Sequence, residues 1–91
     1  MNTSDSTISL PDHFSDLMDR VAQFKDKAAF GTIFAFYGPR VKAYLLRNGA
    51  QDARAKELAQ DVMVILWREA KYFDRSQAAV CTWVFSIARR I

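Results

Sequence analysis

Two acids one helical turn apart, Glu57 and Asp61, with Gln60 between them, have a spacing that could do chemistry. At i, i+3 and i+4 the three side chains project from one face of a helix. Two carboxylates can share acid–base work, but this face is polar and exposed. There, like charges cost a few tenths of a kcal/mol unless something cationic meets them. The pattern reads either as a docking patch for a basic partner or as a solvated acidic surface. Other chemistries fail on inventory. One His (His13) and one Cys (Cys81) cannot make the usual zinc sites, and no Gly-rich phosphate loop or Gly-x-Ser-x-Gly elbow is present. Cys81, between Val80 and Thr82 on an apolar stretch, reads as a small buried thiol, and a Cys81–His13 pair would be accidental. A single Cys closes no internal disulfide, which excludes a stapled secreted mini-protein. No catalytic residue, metal or cofactor is expected, and so no enzyme.

The charge distribution says more than the net +3. Residues 1–36 hold five Asp against three basic residues, a net of −2, whereas residues 37–91 hold ten Lys/Arg against five acids, a net of +5. A basic half allows a polyanion partner but is equally a solvated charged face. No stretch approaches the roughly 18 apolar residues that span a membrane. MNTSDSTISL, with neither a basic start nor an apolar core, is not a secretory signal, so the cytoplasm is the expected compartment.

The elements that must carry these residues read as helices throughout. An apolar share of 51% with few Gly and Pro favours an all-α fold, a compact bundle of about four helices. Residues 1–11 read as a flexible lead-in. Phe14, Leu17, Met18 and Val21 then repeat at i, i+3, i+4, i+7, predicting a first helix over about 13–24 with Asp12 as its cap. Phe30, Ile33, Phe34, Tyr37, Val41, Tyr44 and Leu45 predict a second over 27–47, capped by Asp26, kinked at Gly38-Pro39 and stopped by Asn48-Gly49. Asp52 caps a third over 53–72, apolar along Ala55, Leu58, Val62, Ile65 and Leu66 and again along Ala59, Met63 and Trp67. Glu57, Gln60, Asp61, Val64 and Arg68 fill its remaining face. Val80, Val84, Ile87 and Ile91, with Trp83 beside them, predict a fourth over 79–91. It ends in Ala-Arg-Arg-Ile without a stop signal, which suggests a fragment of a longer protein.

Three stretches in register carry a resemblance: Tyr37-Gly38-Pro39-Arg40-Val41-Lys42-Ala43-Tyr44-Leu45; Glu57-Leu58-Ala59-Gln60-Asp61-Val62 running on to Leu66-Trp67-Arg68; and Tyr72-Phe73-Asp74 followed by Thr82-Trp83-Val84-Phe85-Ser86-Ile87-Ala88-Arg89. Together they resemble region 2 of bacterial sigma factors of the extracytoplasmic-function (ECF) group, over about residues 14–91. Residues 12–91 would then form the region 2 domain, without the region 4 helix-turn-helix.

The resemblance implies partners and roles. Glu57, Gln60 and Asp61 match the helix that docks on the β′ coiled coil of core RNA polymerase, with Trp67 either an apolar anchor beside them or a packed side chain. The loop after that helix and the helix beyond it would bind the promoter −10 element as single strand, capturing a flipped base of the non-template strand. Here they supply Asp74, Arg75, Ser76, Gln77 and Ala79, with Lys71, Arg75, Arg89 and Arg90 able to meet phosphates. Trp83 and Phe73 read chiefly as core. An anti-sigma protein is the implied regulator. One departure is plain: the usual Phe-Asp-Pro-x-x-Gly-Ser/Thr loop is here Phe73-Asp74-Arg75-Ser76-Gln77-Ala78-Ala79, lacking Pro and Gly. That departure keeps a rival open, a helical protein–protein module derived from such a domain that no longer reads DNA. A second rival is a general nucleic-acid or membrane-surface bundle, whose binding would ignore sequence and fall steeply with salt.

Overall fold

The computed structural model describes the backbone of residues 2–91 and the side chains of residues 13–91. The chain forms α1 (Asn2–Phe24), α2 (Lys27–Arg47), α3 (Asp52–Glu69), a 3-10 turn (Ala70–Tyr72) and α4 (Val80–Arg90). Among the described residues every regular element is helical, as the apolar periodicity predicts.

The second helix has the predicted limits, and its ends show why. Asp26 is its N-cap, with an Asp26 carboxylate oxygen accepting from the Ala29 amide at 3.0 Å. At the other end the amides of Gly49 and Ala50 donate to the carbonyls of Leu46 and Leu45, both at 3.1 Å, the paired bonds of a Schellman motif. Gly49 supplies the positive φ of 100° on which that motif turns. The helix runs unbroken through Pro39, whose missing N–H leaves the Ala35 carbonyl without its intrahelical donor.

α2 and α3 pack along each other as a helical hairpin. α1 lies across α2 and the 3-10 turn, and α4 closes the bundle against α3, α1 and α2. Met18, Ile33, Met63 and Leu66 are the largest fully buried side chains, one or two from each of the first three helices; Val84 and Ile87 add the fourth. Each such side chain contributes about 1.5–3 kcal/mol by leaving water.

Several expectations are corrected. α1 begins well before residue 13, so Asp12 lies inside the helix and cannot be its cap. The side chains of the expected lead-in, 1–11, lie outside the described residues. Asp52 is the first residue of α3 and not its cap; Gln51 stands there without a side-chain cap bond, and Asp52 pairs with Lys42 at 3.2 Å. The end of the predicted third helix tightens into the 3-10 turn. Phe34, expected in the core, is exposed with its ring over Gly38, 3.4 Å from where a Cβ would stand. Ile91 is exposed too. Cys81, expected buried, is exposed, because Val80, Val84 and Ile87 turn inward and leave position 81 about 100° round the helix.

Candidate functional site

The acid-bearing face of α3 is built as the periodicity requires. Ala55, Ala59, Val62, Met63 and Leu66 are buried against the bundle, which forces Glu57, Gln60, Asp61, Val64 and Arg68 outward, all exposed. Gln60, Val64 and Trp67, at i, i+4 and i+7, make a line along this face with the two acids beside it. Glu57 takes Arg54 as a partner at 3.1 Å, whereas Asp61 has no ion pair among the described residues.

Trp67 is half-buried, between the two roles open to it. Its ring meets Phe30 edge-on at 5.0 Å, and the Lys25 ammonium sits 4.8 Å from its ring centroid. The same ammonium donates to the Trp67 carbonyl at 2.9 Å, satisfying one of the acceptors that the end of α3 leaves open. Lys25 reaches it from the α1–α2 junction, where it has a positive φ of 51°. Lys27, Phe30, Val64 and Trp67 line a shallow cavity of about 310 Å³ here. A second groove of about 370 Å³ runs beside Gln60, between Phe34, Gly38, Pro39, Lys42, Lys56 and Ala59. Sequence reading did not attach Lys42, Lys56, Phe34 or Pro39 to this face. The motif on α3 gives no sign of which α2 residues stand beside it, although Gly38-Pro39 marks where a flank could lie open.

Beyond the end of α3 and its 3-10 turn, the polar loop 74–79 is ordered by its own side chains. An Asp74 carboxylate oxygen accepts from the Ser76 amide at 2.9 Å and from the Ser76 hydroxyl at 2.6 Å. These bonds hold the Asp74 carboxyl below its ordinary range, the hydroxyl bond contributing most. The amides of Gln77 and Ala78 donate to the Asp74 carbonyl, at 2.9 and 3.2 Å. Phe73 and Trp83 pack on each other at 5.4 Å, both half-buried against the edge of the core where their reading as core side chains expected full burial.

The basic residues fare differently from one another. Arg75 donates through Nη1 to Asp16 at 2.7 Å and to Asp19 at 2.9 Å, both on α1. These two acids raise its already high pKa, Asp16 most. Arg90 donates to Glu69 at 3.1 Å. Lys71 lies 5.3 Å from the Tyr72 ring centroid, and Arg89 is exposed with no ion pair among the described residues. Gln77 and Ala79 are exposed at the loop surface. The α3 acids and this loop are thus two separate surfaces, joined by the helix that carries the first and leads into the second.

A domain of this topology, with its acids on the third helix and a polar loop between that helix and a basic fourth, has close relatives. The Sigma-70 region 2 family matches residues 33–91, and the chain belongs to that family, in its ECF group. Among its relatives is the ECF RNA polymerase sigma factor RpoE of Cereibacter sphaeroides, 44% identical over 73 residues, which are 80% of this chain and 40% of RpoE. ECF RNA polymerase sigma factor SigK of Mycobacterium tuberculosis is 28% identical over 74 residues, 81% of this chain and 39% of SigK. The crystal structure of Rhodobacter sphaeroides SigE in complex with the anti-sigma ChrR superposes with a TM-score of 0.83 at 40% identity, covering 87% of this chain and 45% of that one. The chain thus spans about 40% of the length of the curated relatives it matches.

Proposed function

We propose that this domain tethers a sigma factor to core RNA polymerase through the exposed face of α3 and engages the promoter −10 element through the loop 74–79 and α4. It catalyses no reaction itself and works in the cytoplasm, where transcription takes place. The observation that carries the reading is the face of α3. Glu57, Gln60 and Asp61 are held in solvent on the central helix, with Asp61 lacking any ion pair among the described residues. Two acids kept side by side without a cation on Asp61 suit a basic partner helix such as the β′ coiled coil. Val64 and Trp67 supply the apolar contact alongside.

On the DNA side, Lys71, Arg89 and Arg90 are the cations for phosphates, and Asp74, Ser76, Gln77 and Ala79 form the surface that meets a base. An unpaired base leaves its stack at a cost of a few kcal/mol, offset by such contacts. SigE, the structural relative, was crystallised with an anti-sigma protein. By that likeness an anti-sigma partner covers this domain until its signal arrives.

One observation favours a second reading, a protein-binding module that no longer reads DNA. Arg75 and Arg90 both face acids of the domain itself, which lowers the positive field at the loop. Titrating the 91-residue chain with a β′ coiled-coil peptide, and separately with −10 single strands, separates the two. Binding to both is expected. Coiled-coil binding without DNA binding selects the second reading, and failure to bind the coiled coil overturns both.

A further inference from the structure

The loop Phe73-Asp74-Arg75-Ser76-Gln77-Ala78-Ala79 contains neither Pro nor Gly, so no residue in it stiffens or specially bends the backbone. It still takes one shape, and its Asp74–Ser76 bonds are all local. Local bonds shape the turn but do not fix where it sits on the domain. Arg75 does that. Its Nη1 bridges Asp16 and Asp19 across 59 and 56 residues of sequence.

The bridge serves α1 as well. Asp16 and Asp19 stand at i and i+3, a like-charge pair that repels on a helix surface. The Arg75 guanidinium is the cation that meets both. With Asp16 and Asp19 both on it, the positive charge of Arg75 is more than cancelled locally, which makes this an unfavourable place for a DNA phosphate.

We infer that Asp16 and Asp19 are positioning residues for the DNA-engaging loop, acting through Arg75, whose role is to anchor that loop and not to bind phosphate. The inference rests on the proposed function for the loop's role, but the clamp itself can be read without DNA. The side chains involved are exposed, so removing these two contacts loosens the hold on the loop and leaves the core intact.

The test uses the 91-residue chain with Asp16→Asn and Asp19→Asn together, and the conservative pair Asp16→Glu with Asp19→Glu as rescue. Loop order is read from heteronuclear NOEs of the amides of residues 75–78. DNA binding is read by anisotropy with a fluorescein-labelled, sequence-randomised pool of single strands about twelve nucleotides long. The Asn pair should lower the loop NOEs and weaken DNA binding about 2- to 12-fold, the cost of ordering one freed side chain, even though two negative charges have been removed. The salt slope should stay unchanged, and the Glu pair should restore both readouts. Arg75→Gln, which breaks the clamp from its other side, should loosen the loop equally, again without altering the salt slope.

Loop NOEs unchanged in the Asn pair overturn the clamp. So does tighter DNA binding in the Asn pair, or a slope lowered by about one unit in Arg75→Gln, because either marks Arg75 as a phosphate ligand. Loosening of the loop in the Asn pair, when the parent chain itself binds no DNA, refutes the DNA reading and upholds the clamp.

Discussion

Asp61→Lys separates docking from folding, because the structure gives the two effects opposite signs. Asp61 is exposed, lies in the middle of α3 away from both helix ends, and makes no ion pair among the described residues. Nothing in the fold is lost with its carboxylate. One turn back lies Glu57. Reversal converts a like-charge i, i+4 pair into Glu before Lys, the favoured order, with each change worth about 0.2–0.5 kcal/mol. Glu57 already shares its charge with Arg54, which trims the gain to about 0.3–0.8 kcal/mol. For a chain of this size that raises Tm by about 1–6 °C.

Docking should move the other way. Loss of one partner of an interfacial charge pair costs about 2–5 kcal/mol, so affinity for core polymerase should fall about 30-fold or more. Thermal melts followed by circular dichroism and anisotropy with a labelled β′ coiled-coil peptide measure the two. Affinity within threefold of the parent removes Asp61 from the docking face. A fall in Tm refutes the account of α3 and makes any loss of binding a loss of folded protein.

Three further outcomes test the fold. Leu66 has no exposed surface, so Leu66→Ala should cost about 2–5 kcal/mol and lower Tm by at least about 8 °C; a smaller drop would mean the surrounding helices collapse onto the site. Gly49→Ala meets no atom within 4 Å but places a side chain at a φ of +100°, so it should cost about 1–2 kcal/mol in chemical denaturation, from backbone strain alone. Burial raises the Tyr37 phenol above its ordinary 10.0. The stability tied to keeping it protonated is therefore whole below pH about 10 and is lost as pH climbs through the raised folded value. Tyr37→Phe should flatten that alkaline limb, and alkaline denaturation curves that coincide with those of the parent would refute the link.

What the sequence made legible follows from how local each cause is. The limits of α2 were readable because Asp26, Asn48 and Gly49 act within a turn of where they stand. The outward set on α3 was readable from period alone. Gln51 and Asp52 exchanged places because a cap is decided by φ and ψ at one residue, and Asp52 had a use in its contact with Lys42. Cys81 was misplaced because an apolar neighbourhood in sequence says little about azimuth when the helix starts only one residue earlier. The tie from Arg75 to Asp16 and Asp19 joins positions more than fifty residues apart. No pattern in a single sequence marks such a pair, so from the sequence Arg75 reads only as a loop cation able to meet phosphate.

The placing of α1 has a consequence for the order in which the domain can form. α2 and α3 are neighbours in sequence and fold on each other through a short link, so their pairing closes little chain. The partners of α1 include the turn Ala70–Tyr72 and Arg75, which leave the ribosome well after it. Until they emerge, Phe14, Met18 and Val21, all buried in the finished domain, lack part of their cover. α1 can therefore pack on α2 early but is fully covered only once those later partners arrive. Any pause in synthesis before residue 75 leaves an apolar stripe open to other chains.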